Sequence, residues 1–267
     1  MTSDSEQESN LPKCTGSTQK PTVITEKMPT PEKVRLLIST WDSLTPNERK
    51  LFLQQPGNEF AAGIVDSLFW MQCVTKTKDE QDQTNPFKHF PRYPYFTALH
   101  NVWLKEPVLF IEKSRTMMVS WWSAAEALHY VMTRQPAKAI LWAMDEARSL
   151  TLLDYARVLY EQQGDVFKQV FPLERPLDRQ SYNRLELKGG GVLIALPGKD
   201  PDRIRSEHPT IVIIDEAAFL ENGGESFDVA LSSRVPKMMC ISSASPGWFH
   251  QITKNARPIP LEPYMQD

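Results

Sequence analysis

The sequence contains few cysteines and no long hydrophobic run. Among its 267 residues there are three cysteines, Cys14, Cys73 and Cys240, and their spacing matches no metal-binding motif. The odd number of cysteines and the lack of a secretory signal predict a reducing, intracellular environment. No apolar run approaches the roughly 18 residues of a membrane span, so a membrane protein is not predicted.

The charge balance is close to neutral, with 30 basic and 33 acidic residues and a net charge of −3. A globally basic surface for nucleic acid is therefore excluded, and any contact with nucleic acid must be local. The histidines lack metal-ligand spacing and are assigned no catalytic role; they are His89, His100, His129, His208 and His250. A hydrophobic content of 41% and a charged content of 24% are typical of a globular chain.

The amino-terminal part predicts a tail followed by helices. Residues 1–30 are polar and nearly free of large apolar side chains, which predicts a disordered tail. Apolar residues then recur at helical spacing at Val34, Leu37, Ile38 and Trp41. A second helix is predicted to start at Thr45-Pro46, and residues 58–74 predict a third. We therefore expect an N-terminal helical region over residues 31–80.

The middle of the chain alternates between strand and helix patterns. The predicted strands are 108–111, 139–143, 211–214 and 238–241, and the predicted helices are 120–133, 145–163 and 225–234. Residues 185–187 and 192–196 predict a hairpin across Gly189–Gly191. This alternation predicts an α/β fold, a mostly parallel sheet with helices on both faces, over a core of residues 81–255.

The most informative segment is the strand Ile211–Ile214, which ends in Asp215-Glu216. Ligands bind at the carboxyl ends of strands in open α/β sheets. An Asp there can hold Mg²⁺, and the adjacent Glu can deprotonate an attacking water, which is the Walker B arrangement of a nucleotide hydrolase. The alternative is a strand that ends in a solvated acidic turn.

A second segment has the context of a phosphate-binding loop. Residues 112–119 connect the strand that ends at Ile111 to the helix predicted from Ser120, whose hydroxyl could bind Mg²⁺. Met118 and Val119 stand where a standard loop has glycine and lysine. On its own, this segment is better explained as a basic turn before a core helix.

Two further segments have both a functional and an ordinary interpretation. Ser242–Gly247 follows a strand, and its hydroxyls could sense a terminal phosphate, although turns rich in Ser, Pro and Gly are common. Arg203 and Arg205 could reach a phosphate or DNA. Their alternative is a solvated pair flanked by Asp202 and Glu207.

Together these segments resemble the large terminase subunit of tailed bacteriophages, the ATPase motor that packages double-stranded DNA. The resemblance covers roughly residues 80–250. Residues 113–121 are similar to the family's deviant Walker A, in which some members carry the lysine at the start of the loop, as Lys113 does. Residues 211–219 resemble its Walker B with the trailing Ala-Ala-Phe, and residues 242–247 resemble its coupling motif. Residues 194–197 and 203–205 resemble the stretch before Walker B, except that Ser206 follows where glycine is usual.

The resemblance implies a P-loop NTPase fold of the RecA/ASCE type that uses ATP and Mg²⁺. The implied ATP-binding residues are Lys113, Ser114, Arg115, Thr116, Met117, Met118, Val119 and Ser120. The implied metal ligands are Ser120 and Asp215, the catalytic residues are Glu216 and Arg205, and the coupling residues are Ser242, Ser243 and Ser245. Phe90, Tyr93 and Tyr95 either stack on the adenine or pack under the Pro-rich segment before the loop.

The implied partners are double-stranded viral DNA, the portal protein and the small terminase subunit. The resemblance also implies a homo-oligomeric ring on the capsid vertex, in the host cytoplasm and transiently at the procapsid portal, with no membrane contact. Large terminases usually carry a nuclease domain as well. Residues 256–267 resemble the start of a linker to such a domain, so we expect a truncated or split protein without nuclease activity.

Two alternatives remain open from the sequence. The first is a degenerate, non-hydrolysing P-loop module that docks DNA or portal, because Met118 limits the backbone freedom of the loop. The second is a helicase-like translocase of the same branch, which would be expected to carry Arg-bearing motifs in a second RecA-like domain.

Overall fold

The structure is a computed structural model that describes residues 31–55, 57–198 and 202–256. The predicted tail, residues 1–30, and most of the predicted linker lie outside these residues. The amino-terminal elements are α1 (Pro31–Ser43), α2 (Pro46–Gln54), α3 (Glu59–Val65), α4 (Ser67–Cys73), β1 (Thr77–Lys78), β2 (Phe87–Lys88) and α5 (Pro94–Lys105). They are followed by β3 (Val108–Glu112), α6 (Val119–Thr133), β4 (Lys138–Ala143), α7 (Glu146–Gln162), α8 (Asp165–Val170), β5 (Arg184–Glu186) and β6 (Val192–Pro197). The remaining elements are α9 (Asp202–Glu207), β7 (Ile211–Asp215), α10 (Gly223–Ser232), β8 (Lys237–Ser242) and α11 (Trp248–Asn255).

A six-stranded sheet in the order β3-β8-β7-β4-β6-β5 forms the centre of the fold. All neighbouring strands run parallel except β5, which pairs antiparallel with β6. The predicted α/β class with a mostly parallel sheet is therefore confirmed. Because the five parallel strands share one direction, their carboxyl ends lie along one edge of the sheet.

The two faces of the sheet pack into separate hydrophobic cores. On β7, Ile211 and Ile213 belong to one core, whereas Val212 and Ile214 belong to the other. The first core is covered by α1 and α3–α8, and the second by α9–α11. Burial on both faces explains why the sequences of the central strands are continuously apolar and do not alternate between apolar and polar residues.

The amino-terminal helices follow from local signals, with one difference. Thr45 caps α2 and forms the capping box with Glu48. The predicted single helix over residues 58–74 is divided at Asp66, whose side chain accepts a hydrogen bond from the Phe69 N–H at 2.7 Å and starts α4. These helices pack into the same core as the sheet. The predicted boundary at residue 81 stays a prediction.

Helix α5 was not predicted, because Pro86, Pro91 and Pro94 indicate a broken segment. Pro94 instead occupies the first turn of the helix, where its missing N–H costs nothing. The short helices α8, α9 and α11 were also missed, since six to eight residues carry little periodicity. None of the helices in the described residues has the length and apolar content to cross a membrane.

A buried charge cluster joins three of these helices. The His100 Nδ1 atom lies 3.1 Å from a Glu126 carboxylate oxygen, and its Nε2 atom lies 3.5 Å from Asp66. The Ser67 hydroxyl donates to Glu126 at 2.7 Å. Burial alone would lower the pKa of His100, but the Asp66 and Glu126 carboxylates outweigh it and raise the pKa to about 10. His100 is therefore a cation that lies between two buried carboxylates and lowers their mutual repulsion.

We expect His100→Leu to destabilise the fold by about 3–5 kcal/mol, because it leaves two buried carboxylates without their cation. The folded chain keeps the His100 proton up to a pH of about 10, while the unfolded chain loses it near 6.5. The stabilisation by His100 is therefore complete below pH 6.5 and is lost as the pH rises towards 10. Denaturation curves of wild type and variant measure this.

The exposed His250 provides the control, since His250→Leu removes a histidine without touching the cluster. If the stability difference between wild type and His100→Leu stays constant from pH 6.5 to pH 10, the charged state assigned to His100 is wrong.

Candidate functional site

The candidate site lies at the carboxyl edge of the sheet, where β3, β8 and β7 end. Strand β8 separates the other two, so the ends of β3 and β7 are two strand spacings, about 9–10 Å, apart. The loop after β3 leads into α6, and β7 ends in the acidic pair. A gap of this width between a loop and two carboxylates can accommodate a phosphate group.

Asp215 is buried and incompletely satisfied. Its exposed fraction is 9%, and its Oδ1 atom has no hydrogen-bond partner. Burial raises the pKa of Asp215, although a hydrogen bond from the Ser120 side chain and the charge of Lys113 oppose the rise. A buried carboxylate oxygen without a partner is rare in proteins and is often explained by a missing ion or water.

The donors at Asp215 fit a hard divalent cation. Asp215 and Ser120 offer a carboxylate and a hydroxyl oxygen side by side, and Mg²⁺ is typically bound by one or two protein oxygens together with water and substrate phosphates. Within the described ranges, no group of three or more His, Cys, Asp or Glu side chains could hold a metal by itself. The site therefore suits a cation that arrives with a phosphate ligand.

Glu216 is held by contacts from residues that follow β3 and β8. Its Oε1 atom lies 3.6 Å from the Lys113 Nζ atom, and Oε2 accepts a hydrogen bond from the Ser243 hydroxyl at 3.4 Å. The Lys113 side chain is only 10% exposed, which makes the ion pair more than a surface contact. The structure thus brings together the predicted cation, the predicted base and one predicted coupling residue.

The loop from Lys113 to Met118 contains two non-glycine residues in the left-handed backbone region. Thr116 has φ 67° and Met118 has φ 54°, and Met118 is the residue before α6. Outside the loop, the Tyr95 hydroxyl donates to the Met117 carbonyl at 3.1 Å. Position 118 thus needs the conformation that glycine adopts freely, and tertiary contacts enforce it on a methionine.

Other predicted ATP-binding residues lie around this loop in different environments. Ser114, Arg115 and Thr116 are exposed, whereas Val119 is 1% exposed in the hydrophobic core. A lysine at position 119 would therefore enter the core unless the helix start moved. Lys113 supplies the buried cation in its place.

The predicted coupling segment, residues 242–247, contacts the turn after Asp215-Glu216. The Ser242 hydroxyl accepts a hydrogen bond from the Ala218 N–H at 3.2 Å. The Ser242 carbonyl also accepts from the Lys113 N–H at 3.0 Å. Ser242 therefore touches both the loop and the acidic turn, while Ser245 is half-buried farther along the segment.

Arg205 lies on α9, where its guanidinium forms an ion pair with the Asp202 carboxylate at 3.2 Å. Glu207 at the end of the same helix pairs with Lys138 at the amino end of β4. This helix therefore runs away from the candidate site, and a catalytic role for Arg205 in the same chain has no contact to support it. Its role stays a prediction.

The aromatic residues proposed for adenine stacking differ in their exposure to solvent. Phe90 is 3% exposed and packs edge-on against Phe96, so for Phe90 the packing interpretation holds. Tyr93 is 51% exposed and stacks on Tyr95, which contacts the loop. For Tyr93 and Tyr95, stacking on a base stays a prediction.

Sequence reasoning missed an aromatic pair next to the acidic residues. Trp121 stacks on Tyr155 of α7 with ring centroids 4.0 Å apart. Burial raises the pKa of the Tyr155 hydroxyl, and the nearby Asp215 charge raises it further. The signal available in the sequence was Trp121 directly after Ser120, and its partner on α7 is fixed only by the fold.

Comparison with known proteins supports the fold and not the site. No protein-family model and no curated protein matches the chain. The large terminase of bacteriophage HK97 is 10% identical with a TM-score of 0.50, over 67% of this chain and 37% of that protein. The Thermus phage P74-26 large terminase ATPase domain is 15% identical with a TM-score of 0.45, over 61% of this chain and 69% of that domain.

The N-terminal domain of the DNA packaging ATPase from bacteriophage phi29 is 11% identical with a TM-score of 0.41, over 55% of this chain and 79% of that domain. At these identities, structural similarity shows the fold alone, and of these three structures the HK97 terminase has a TM-score that supports it. The chain spans 37% of the length of that terminase. The chain thus shares its fold with the HK97 large terminase, and the resemblance to phage large terminases is confirmed at the level of the fold.

We expect Met118→Gly to be tolerated, because glycine removes a left-handed backbone cost of about 1–2 kcal/mol that offsets the lost contacts of a half-buried methionine. Met118→Val should be less stable than Met118→Gly by at least about 1–2 kcal/mol, since β-branched residues fit this region poorly. Urea denaturation measures both. Met117→Val, at a neighbour without positive φ, is the matched control. Equal stability of the two Met118 variants would contradict the loop geometry.

Proposed function

We propose that this chain binds ATP with Mg²⁺ at the carboxyl edge of the sheet and hydrolyses the ATP. The observation that carries the proposal is the buried Oδ1 atom of Asp215, which has no hydrogen-bond partner and lies beside Ser120. Asp215 and Ser120 would hold the metal ion. The Lys113 ammonium would bind the phosphates, with Arg115 available from the exposed part of the loop.

On this proposal, the metal ion, Glu216 and Ser120 each contribute to a different part of the hydrolysis. When bound, Mg²⁺ neutralises charge that develops on the phosphate oxygens. Glu216, fixed by Ser243, accepts a proton from the attacking water. The water oxygen bonds to the terminal phosphorus while the bond to the bridging oxygen breaks, which releases ADP and phosphate. Ser120 orients the carboxylate of Asp215 through its hydroxyl.

The Lys113–Glu216 ion pair gives the site a resting arrangement. A phosphate that enters the site competes with Glu216 for the Lys113 ammonium, which lies 3.6 Å from the carboxylate. Binding of the nucleotide would therefore release the base from its cation. A free carboxylate accepts a proton more readily than one that is paired with an ammonium.

The process that we propose to be driven by hydrolysis is translocation of double-stranded viral DNA into a procapsid. Support comes from the shared fold with a phage large terminase together with the ordered motifs. On this proposal the chain works on the portal, as a ring of copies, with the small terminase subunit as a further partner. The setting is the host cytoplasm, with transient attachment to the portal vertex.

A degenerate, non-hydrolysing module is the second candidate. It is favoured by the left-handed Met118 in place of a glycine and by the pairing of Lys113 with Glu216. Both candidates share the fold. They differ in whether nucleotide is bound and turned over.

We expect Glu216→Gln to retain binding of ATP with Mg²⁺ and to lose turnover by at least about 100-fold, because the variant lacks the proton acceptor. Binding is measured by calorimetric titration and turnover by phosphate release. Glu221→Gln changes an exposed carboxylate shortly after the acidic turn and should leave both quantities unchanged. Wild-type turnover by Glu216→Gln would exclude Glu216 as the base.

We expect the double variant Lys113→Ala and Arg115→Ala to lose saturable binding of ATP with Mg²⁺, because it removes both cations proposed for the phosphates. The matched control changes Arg175 and Lys188 to alanine, which removes two exposed cations on the far side of the sheet. Titration of the three proteins decides between the candidates. Absence of ATP binding by the wild-type chain would favour the non-hydrolysing module.

A further inference from the structure

Trp248 opens α11 directly after the coupling segment and contacts the turn that follows Glu216. Its indole N–H donates to the Ala217 carbonyl at 3.1 Å. Ala217 begins the 3₁₀ turn Ala217–Phe219, and it is the residue next to Glu216 in the chain. Trp248 therefore binds the residue that directly follows the proposed base, Glu216, although the two side chains are far apart in sequence.

The backbone at Glu216 needs restraint from outside. Glu216 has φ 51° and ψ 40°, a left-handed conformation that costs a non-glycine residue about 1–2 kcal/mol. Such conformations persist where the surrounding structure fixes them. The turn makes two side-chain hydrogen bonds: the Ala218 N–H donates to the Ser242 hydroxyl, and the Ala217 carbonyl accepts from the Trp248 indole N–H. Both come from the segment that starts at the end of β8.

The indole is itself held by close packing. Trp248 is half-buried, and its ring stacks on Phe227 at 6.1 Å with an angle of 29°. A Cβ atom added at Gly223 would lie 2.4 Å from the indole Nε1 atom, so only glycine leaves room for the ring there. At Gly224 an added Cβ would meet Trp248 at an ordinary 3.5 Å.

We propose that Trp248 is a positioning residue that holds Glu216 in place through the Ala217 carbonyl, and that Gly223 is needed to admit the indole. The proposal rests on the assignment of Glu216 as the base of ATP hydrolysis. Within the described residues, Trp248 contacts the Ala217 carbonyl and the rings of Phe110, Phe227 and Phe249, and not the side chains of the loop or of the acidic pair. Its effect must therefore fall on turnover and leave ATP binding unchanged.

The test compares Trp248→Phe with wild type. Phenylalanine keeps an aromatic ring against Phe227 and removes the N–H donor. We expect kcat for ATP to fall roughly fivefold to tenfold, the effect of one aligned hydrogen bond, with KM unchanged within about twofold. A fall in kcat together with a large rise in KM or loss of the folded state would overturn the positioning role in favour of a structural one.

Substitutions at the adjacent Gly223 and Gly224 provide a second, independent test. Gly223→Ala forces the indole edge to move and should reduce kcat as Trp248→Phe does, whereas Gly224→Ala should match wild type. Both changes add one methyl group in the first turn of α10, so a difference between them reports on the indole. Unchanged kcat in Gly223→Ala and in Trp248→Phe would overturn the proposal.

Hydrogen–deuterium exchange of residues 216–220 separates this proposal from the proposed function. The Ala218 and Phe219 amides lie in this turn. We expect faster exchange of the segment in Trp248→Phe and Gly223→Ala, and wild-type exchange in Gly224→Ala. If the wild-type chain does not hydrolyse ATP, the proposed function has failed, and the exchange rates still decide whether Trp248 fixes the turn.

Discussion

The parallel pairing of β3, β8 and β7 is the constraint on which the candidate site depends. Glu112 aligns with Ser242, and Asp215 aligns with Ile241, so the residues that follow the three strands emerge side by side. The hydrogen bond from the Lys113 N–H to the Ser242 carbonyl extends the pairing one residue beyond β3. Cation, hydroxyl and carboxylate groups that are distant in sequence thereby meet within the reach of one phosphate group.

The buried carboxylates Asp66, Glu126 and Asp215 differ in the cation that faces them. Asp66 and Glu126 are balanced by His100, which is built into the same cluster and carries a raised pKa of about 10. Asp215 has a hydroxyl contact from Ser120, and the nearby Lys113 ammonium is paired with Glu216 instead. The first arrangement places one imidazolium between two carboxylates and stabilises the fold. The second leaves an oxygen atom for a ligand, which is the difference expected between a structural and a functional group.

Much of the fold was predictable because it depends on local patterns. The apolar run in β4 and the β-branched run in β7 predict buried strands, and Thr45-Pro46 predicts the start of α2. The contact between Lys113 and Glu216 was not predictable, since it follows from the strand order and not from either segment. Helix α5 was hidden by prolines that suit its first turn, and the position of Arg205 depends on the direction in which α9 leaves β6.

The scarcity of glycine in the site has a physical consequence. Both sides of the gap carry a non-glycine residue with positive φ, Met118 on the loop and Glu216 after β7. Glycine would adopt these conformations without help, whereas methionine and glutamate need neighbouring groups to hold them. The Tyr95 hydroxyl supplies a hydrogen bond on the loop side, and Ser242 and Trp248 supply them on the acidic side. The geometry of the site therefore depends on the packed fold. Loss of one of these hydrogen bonds would alter the backbone conformation of the loop or of the acidic turn.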